Sequence, residues 1–392
     1  MLSRQRVDMS ILFSALVAAF VGFAASVAVV ISATQAVGAT PAQTVSWIAG
    51  LAIAQAVAGI ALSWRYRMPI ICAWSTPGAA LIAATSGVDI AAAVGAFILS
   101  ALLMMLTAAF RPLGSLIERI PMPIAAAMLA GVIFRFVVAV FDEMRVAPGL
   151  VLTLLAVFLA ARLISPFLGV IAALLAGIAI SFAGGLASWP AGAMSLAGLE
   201  GIAPRIDLAA LLGIGVPLYL VTMAAQNLPG FAVLRAAGYQ PPTGASLFVT
   251  GLASLLTAPF GSHMVNMAAI SASICTGPDT HPDPAQRWKA GIAYGLIYLV
   301  IAALAGLLLA LVFAMPKAMI VTVAGLGLVG SLTGALGQAM ASDKERFAAV
   351  IAFAVAASSF TLFGIGSAFW SLVAGLAVLT LDALAGRLRA RS

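Results

Sequence analysis

The chain has 392 residues, 64% of them hydrophobic and 8% charged, with a mean hydropathy of +1.17 and a net charge of +7. A soluble protein of this length cannot cover that much apolar surface, and the basic residues come singly or in small groups between apolar runs, which excludes a nucleic-acid binder. The long runs show no alternation, so a membrane β-barrel is excluded as well, and an all-α integral membrane protein is predicted.

Cut at charges and at Pro/Gly clusters, the sequence predicts fourteen spans. The first lies at 9–33, with Ser10 to Ser32 too long for the core of a cleavable signal peptide, and the second at 44–63. The third, 68–84, begins "MPIICAWSTPGAAL" and cannot be one good helix, because Pro69, Pro77 and Gly78 interrupt it. An extended stretch followed by a half-helix is predicted there, with Ser75 or Thr76 as N-cap before Pro77. Spans at 88–110, 121–141, 147–164 and 167–186 complete the first half, and a polar interruption around 187–206 follows.

The second half reads 207–230, 242–258, 260–277, 287–314, 316–338, 346–362 and 366–386. Its first span carries the strongest polar cluster, "VTMAAQNLPGF" (221–231), where Pro229 and Gly230 predict a distorted helix beside Gln226 and Asn227. Its third, within "PFGSHMVNMAAISASICTGP" (259–278), is short and bracketed by Pro and Gly, like the third span of the first half.

Lys and Arg test this count. With the N-terminus cytoplasmic, fifteen basic residues fall inside and three (Arg145, Arg205 and Lys317) outside, while Arg135 lies within a span. Both termini are then cytoplasmic. Seven spans on each side of the interruption make two inverted repeats, 1–190 and 205–392, because an odd-numbered repeat inserts its second copy upside down. "PMPIAAAMLAG" (121–131) faintly echoes "AMPKAMIVTVAG" (314–325).

Broken backbone at membrane depth is tolerated only where protein or a cavity satisfies it. Two such breaks at matching repeat positions therefore predict paired strands and a binding site, with half-helix N-termini suited to an anion. All twelve Asp and Glu residues fall in loops or at span ends, which suits a substrate that brings its own negative charge. The candidate substrate-binding residues are Trp74, Ser75, Thr76, Gln226, Asn227 and Asn266. Gln226 and Asn227 read either as ligand groups or as amides bonding neighbouring helices, and Trp74 as a stacking platform or a core residue. His263 reads as a packing residue or a proton carrier. Arg135 snorkels outward, with Asp142 or Glu143 available as a partner. The sequence offers no HExxH, GxSxG, aspartate-rich or Gly-rich phosphate motif, so no enzyme is predicted. Cys72 and Cys275 predict neither a disulfide nor a metal site, and no cofactor is expected.

Three stretches, "CAWSTPGAALI" (72–82), "AAQNLPGFAVLRAAGY" (224–239) and "GSHMVNMAAISASICTGPD" (261–279), resemble the benzoate/proton symporter family, BenE. The likeness runs over essentially the whole chain. It implies the fold of the nucleobase transporters: a core domain from spans 1–4 and 8–11 (about 9–110 and 207–314) and a gate domain from spans 5–7 and 12–14 (about 121–186 and 316–386). It also implies a substrate held between spans 3 and 10, facing span 8. One departure matters: nucleobase transporters place a glutamate in span 8 where this chain has Gln226, so their proton relay does not carry over.

The resulting expectation is an importer of benzoate, or a similar small aromatic carboxylate, with protons, working by alternating access in the bacterial inner membrane. Its partners are that anion, protons and the lipid bilayer, with no nucleic acid, and a homodimer is compatible with this reading. Rival readings are a transporter of another small organic anion or a nucleobase, an anion channel, and a membrane scaffold.

Overall fold

The computed structural model describes residues 2–24, 26–110, 121–164, 168–189, 198–358, 360–363 and 365–389, with side chains described from residue 9 to residue 385 within these stretches. Residues 111–120, which include Arg111, Glu118 and Arg119, and the middle of the polar interruption at 187–206 lie outside them.

The chain is a multi-pass bundle of apolar helices. Its first half comprises α1 (Leu2–Ala24), α2 (Val27–Ala36), α3 (Pro41–Tyr66), β1 (Cys72–Trp74), α4 (Thr76–Ala83), α5 (Ile90–Ala109), α6 (Met122–Glu143), α7 (Pro148–Ile164) and α8 (Leu168–Ala183). The second half begins with α9 (Leu208–Ala236), α10 (Thr243–Thr257), β2 (Val265–Met267) and α11 (Ile270–Thr276). It continues with α12 (Trp288–Ala303), α13 (Ala305–Phe313), α14 (Lys317–Ala339), α15 (Arg346–Ser358), the short strands β3 (Thr361–Leu362) and β4 (Ile365–Gly366), and α16 (Ser367–Arg389).

Among the described residues, eight helices are long and apolar enough to cross a membrane, or nine if the bent pair α12–α13 counts as one. The segments expected at 147–164, 167–186 and 346–362 form helices of 17, 16 and 13 residues. Two expected single spans are broken. The first divides into α1 and α2 around Ser26, whose hydroxyl donates to the Gly22 carbonyl at 2.5 Å, a back-bond of the kind that bends helices. The span expected at 287–314 bends by 63° between α12 and α13, two residues before Gly306.

Local chemistry sets the helix starts. Thr40 and Gln43 form a capping box ahead of Pro41, and Asp89 and Asp207 cap α5 and α9 through the N–H groups of Ala92 and Ala210. At the membrane ends, Glu143 pairs with Lys317 at 3.7 Å, and no ion pair of Arg135 with Asp142 or Glu143 is seen among the described residues. That differs from the expected partnership, because Arg135 is exposed about two turns before Asp142 and Glu143, which end the same helix α6.

Packing falls into two groups. α3 packs on α12, α5 on α10, and α1 on both α11 and α12; separately, α14 and α15 pack along α6, and α7 against α8. Against the first group, where they contact α3 and α10, β1 pairs antiparallel with β2 in the register Cys72↔Met267, Ala73↔Asn266 and Trp74↔Val265. Ser75 N–H to Met264 O and Ala268 N–H to Ile71 O, both at 2.9 Å, lengthen this ladder. Two segments 193 residues apart thus complete each other's backbone hydrogen bonds at the strand crossover.

Candidate functional site

The site grows from the two broken segments and the helix that crosses behind them. Ser75 is the N-cap of α4: its hydroxyl accepts the Gly78 N–H at 3.1 Å and bonds the Thr222 hydroxyl of α9 at 2.9 Å. Thr76 is the first helical residue and Pro77 the second, so of the two candidate caps it is Ser75 that acts. Gly78 lets α9 approach, because a Cβ there would lie 2.4 Å from a Leu218 methyl. α11 starts differently. Its N-cap is Ala269, without any side-chain cap, and the half-helix begins four residues beyond Asn266 rather than next to it.

α9 is distorted as expected, but by two π turns, Leu211–Gly215 and Met223–Asn227, the second ending two residues before Pro229. A π turn widens the helix and re-aims the side chains it carries. Here it sends Gln226 and Asn227 to different duties. Asn227 is fully buried; its Oδ1 accepts the Met267 N–H of β2 at 2.9 Å, and its Nδ2 lies 3.4 Å from the sulfurs of Met104 and Met223. Gln226 remains partly exposed to a cavity.

Two cavities meet there. One, of about 150 Å³, is bounded by Trp74, Thr76, Gln226 and the start of α11 (Ala268, Ala269, Ile270), with Tyr298 and Gly22 opposite. The other, of about 170 Å³, runs between α9 and the helices α6 and α14, past Pro229, Gly334 and Gln338. Both include Ala225, Gln226 and Ser331 in their walls. Neither wall carries a charged side chain. Trp74 donates from Nε1 to the Ser26 hydroxyl at 2.7 Å and meets Tyr298 edge-on, ring centroids 5.7 Å apart. Its ring is anchored at its polar end, which turns its apolar faces to Phe23 and the cavity.

Of the seven candidate residues, the structure therefore brings Trp74, Thr76 and Gln226 to one cavity. Ser75, Asn227, Asn266 and His263 are fully buried beside it, bonded to protein. His263 sits behind the crossover against Trp47 and Phe97. The Trp47 Nε1–H donates to its Nδ1 at 3.0 Å, so the ring proton of the neutral imidazole is on Nε2 and goes to the Ser75 carbonyl at 2.9 Å. Asn266 donates from Nδ2 to the Met267 carbonyl at 2.8 Å, while its Oδ1 has no partner. Sequence reasoning missed Gly22, Ser26, Ser271, Tyr298 and Ser331. Ser271 lay in a stretch already singled out, and Tyr294 and Tyr298 carried a four-residue spacing; Ser26 and Ser331 carried no signal.

Comparison with known proteins now bears on this geometry. The profile of the benzoate membrane transport protein family, BenE, matches residues 5–381. The chain belongs to the BenE family. It is 39% identical over 380 residues to inner membrane protein YdcO of Escherichia coli, covering 96% of this chain and 97% of that protein. It is 32% identical over 374 residues to the benzoate membrane transport protein of Acinetobacter baylyi, covering 95% of each. In fold it is similar to the transmembrane domain of the cyanobacterial bicarbonate transporter BicA, with a TM-score of 0.62 and 15% identity over 95% of this chain and 98% of that one. SLC26A9 gives a TM-score of 0.64 at 11% identity, over 95% of this chain and 65% of its own. This BenE member is a membrane transport protein and not an enzyme.

Proposed function

We propose that this protein is a secondary transporter that imports benzoate, or a similar aromatic carboxylate, with protons by alternating access. The carrying observation is the uncharged cavity of about 150 Å³ at the strand crossover, walled by Trp74 and Tyr298 and edged by the Gln226 amide. A cavity of that size admits a benzene ring. The absence of a carboxylate from its wall removes the repulsion that would oppose an anionic ligand. In this reading the ring lies against Trp74, and the carboxylate accepts from Gln226 Nε2, from Thr76 and from the free N–H groups that begin α11. Ser75, Asn227 and Asn266 hold those groups in position from behind.

Fourteen spans in two inverted repeats, with both termini cytoplasmic in the bacterial inner membrane, form the scaffold of this proposal. The nine apolar spans, the three shorter helices and the two strand–half-helix segments sum to that number. The two packing groups support a core domain from spans 1–4 and 8–11 and a gate domain from spans 5–7 and 12–14. With the termini inside, the second cavity runs from Gln226 toward the cytoplasmic ends of α6 and α14. His263 enters as proton carrier through its bond to Ser75: a proton arriving on Nδ1 breaks the Trp47 bond and loads the cap of α4.

The test is binding and transport by the purified protein. Benzoate should bind and accumulate in proteoliposomes against its gradient when a proton gradient is imposed, whereas uracil should not compete. Competition by uracil without benzoate binding would favour a nucleobase carrier, and uncoupled conductance an anion channel.

A further inference from the structure

One end of the benzoate-sized cavity holds polar groups that the proposed carboxylate contacts do not use. A Cβ on Gly22 would lie 3.2 Å from the Tyr298 hydroxyl, 3.3 Å from the Ser271 hydroxyl and 3.6 Å from the Tyr294 hydroxyl. Three side-chain oxygens from α11 and α12 therefore converge on the one residue of that wall that leaves room for them. Ser271 donates to the Ala18 carbonyl at 3.1 Å and Tyr298 to the Ala19 carbonyl at 3.4 Å, so each oxygen retains capacity to accept. The Tyr294 hydroxyl, 1% exposed, lies beside the hydroxyls of Tyr298 and Ser271 but makes no well-formed hydrogen bond to either. Gln55, also 1% exposed, lies beside the Tyr298 hydroxyl, and its amide atoms make no well-formed hydrogen bond.

Buried polar groups are nearly always satisfied, so a poorly bonded hydroxyl just behind Ser271 and Tyr298 of the cavity wall calls for a polar occupant within reach of all three. The chemistry of the cluster selects which. No carboxylate is present to hold an ammonium, and no cation to hold a second acid group. Hydroxyls that both donate and accept match a neutral hydroxyl: it can donate to Ser271 or Tyr298 while accepting from Tyr294. Gly22, Ser271 and Tyr298 border this cavity alone, with Tyr294 behind them, whereas Gln226 and Ser331 border both cavities. A bound ring would thus present its substituted edge to Gly22 and its carboxylate toward Gln226.

We propose that Ser271, Tyr294 and Tyr298, grouped around Gly22, form a subsite for the ring hydroxyl of a hydroxylated aromatic acid. The proposal rests on the aromatic-acid reading of the cavity and narrows it to hydroxybenzoate-type substrates. Tyr294 and Tyr298 are four residues apart on α12 and share one face, so both hydroxyls act on the same substituent.

Calorimetric titration of the purified protein with benzoate, 3-hydroxybenzoate and 4-hydroxybenzoate tests it. One hydroxylated isomer should bind about three- to tenfold more tightly than benzoate, the factor expected of one net neutral hydrogen bond. The ratio of hydroxybenzoate to benzoate affinity should fall by a similar factor in Tyr294→Phe and in Ser271→Ala. It should be lost in Gly22→Ala, whose methyl fills the place of the substituent. Thermal unfolding of each variant establishes that it is folded, and Tyr294→Phe keeps the ring that packs. Benzoate binding without preference for either isomer, or a ratio unmoved by all three variants, overturns the subsite and leaves the transport reading standing. Failure of all three acids to bind overturns both.

Discussion

Asn227 Oδ1 accepts the backbone N–H of Met267 at 2.9 Å, so a side chain on α9 finishes the hydrogen bonding of a strand 40 residues later. Ser254 does the same for Val265, its hydroxyl accepting the N–H at 2.9 Å. A two-stranded sheet inside a membrane protein has two open edges, and these side chains close one of them where water cannot.

Asn227→Ala should therefore destabilise the fold. It leaves the Met267 N–H buried without an acceptor, at a cost of about 1–3 kcal/mol. Thermal unfolding in detergent should show a lower midpoint, and aromatic-acid affinity should fall with it because α11 follows directly from β2. An unchanged midpoint would mean that the crossover is held by other bonds.

Gln226→Ala should weaken benzoate binding by about 1–3 kcal/mol, the loss expected for a hydrogen bond to a charged group, while leaving the melting midpoint near that of the parent. Gln226→Glu should be worse at neutral pH and recover as the pH falls, because protonation removes a like charge from the wall. Equal affinities at pH 5 and pH 8 in Gln226→Glu would remove the carboxylate from that end of the cavity.

His263→Gln should retain benzoate counterflow exchange and lose accumulation driven by an imposed pH gradient. Glutamine cannot carry the proton. Undiminished gradient-driven accumulation in proteoliposomes would eliminate His263 as an obligatory carrier.

Asp89 lies in the loop before α5, where it caps the helix and meets Arg205 at 2.7 Å. Its carboxyl sits below the usual range: the Ala92 N–H is the main cause, slight desolvation opposes it, and Arg205 adds to the lowering. A depressed value means stabilisation that is present above an unfolded carboxyl value of about 3.9 and lost as the pH drops through the folded value. The pair is about half exposed, so the contribution is small. Asp89→Asn should flatten the decline in thermal stability below about pH 4 relative to the parent chain; parallel declines would contradict this.

Topology has a direct test. In a background lacking Cys72 and Cys275, single cysteines at Gln286 and Ser342 should react with an impermeant thiol reagent only from the cytoplasm. One at Ala42 should react only from outside. Labelling of all three from one side would end the fourteen-span arrangement.

Much of this was legible in the sequence because lipid imposes one-dimensional rules. Apolar runs mark helices, and Pro69, Pro77 and Gly78 mark a stretch that cannot be one, since proline removes a donor that nothing in hydrocarbon replaces. The short strands and the distorted α9 beside Gln226 followed from that logic, and the family from the motifs around them. What each polar residue does was not legible. Gln226 and Asn227 are neighbours with the same functional group, yet the π turn points one at the cavity and ties the other to Met267. His263 and Asn266 sit on the crossover, where bonds to Ser75, Trp47 and Met267 occupy them. Ser26, at the division between α1 and α2, is bonded to Trp74 and to the Gly22 carbonyl, partners that chain order does not reveal. Chain order and composition determine which segments are helical and which must be broken. Only the tertiary structure decides which hydroxyl or amide faces the cavity, because each is claimed first by whichever buried backbone group or ring lies within reach.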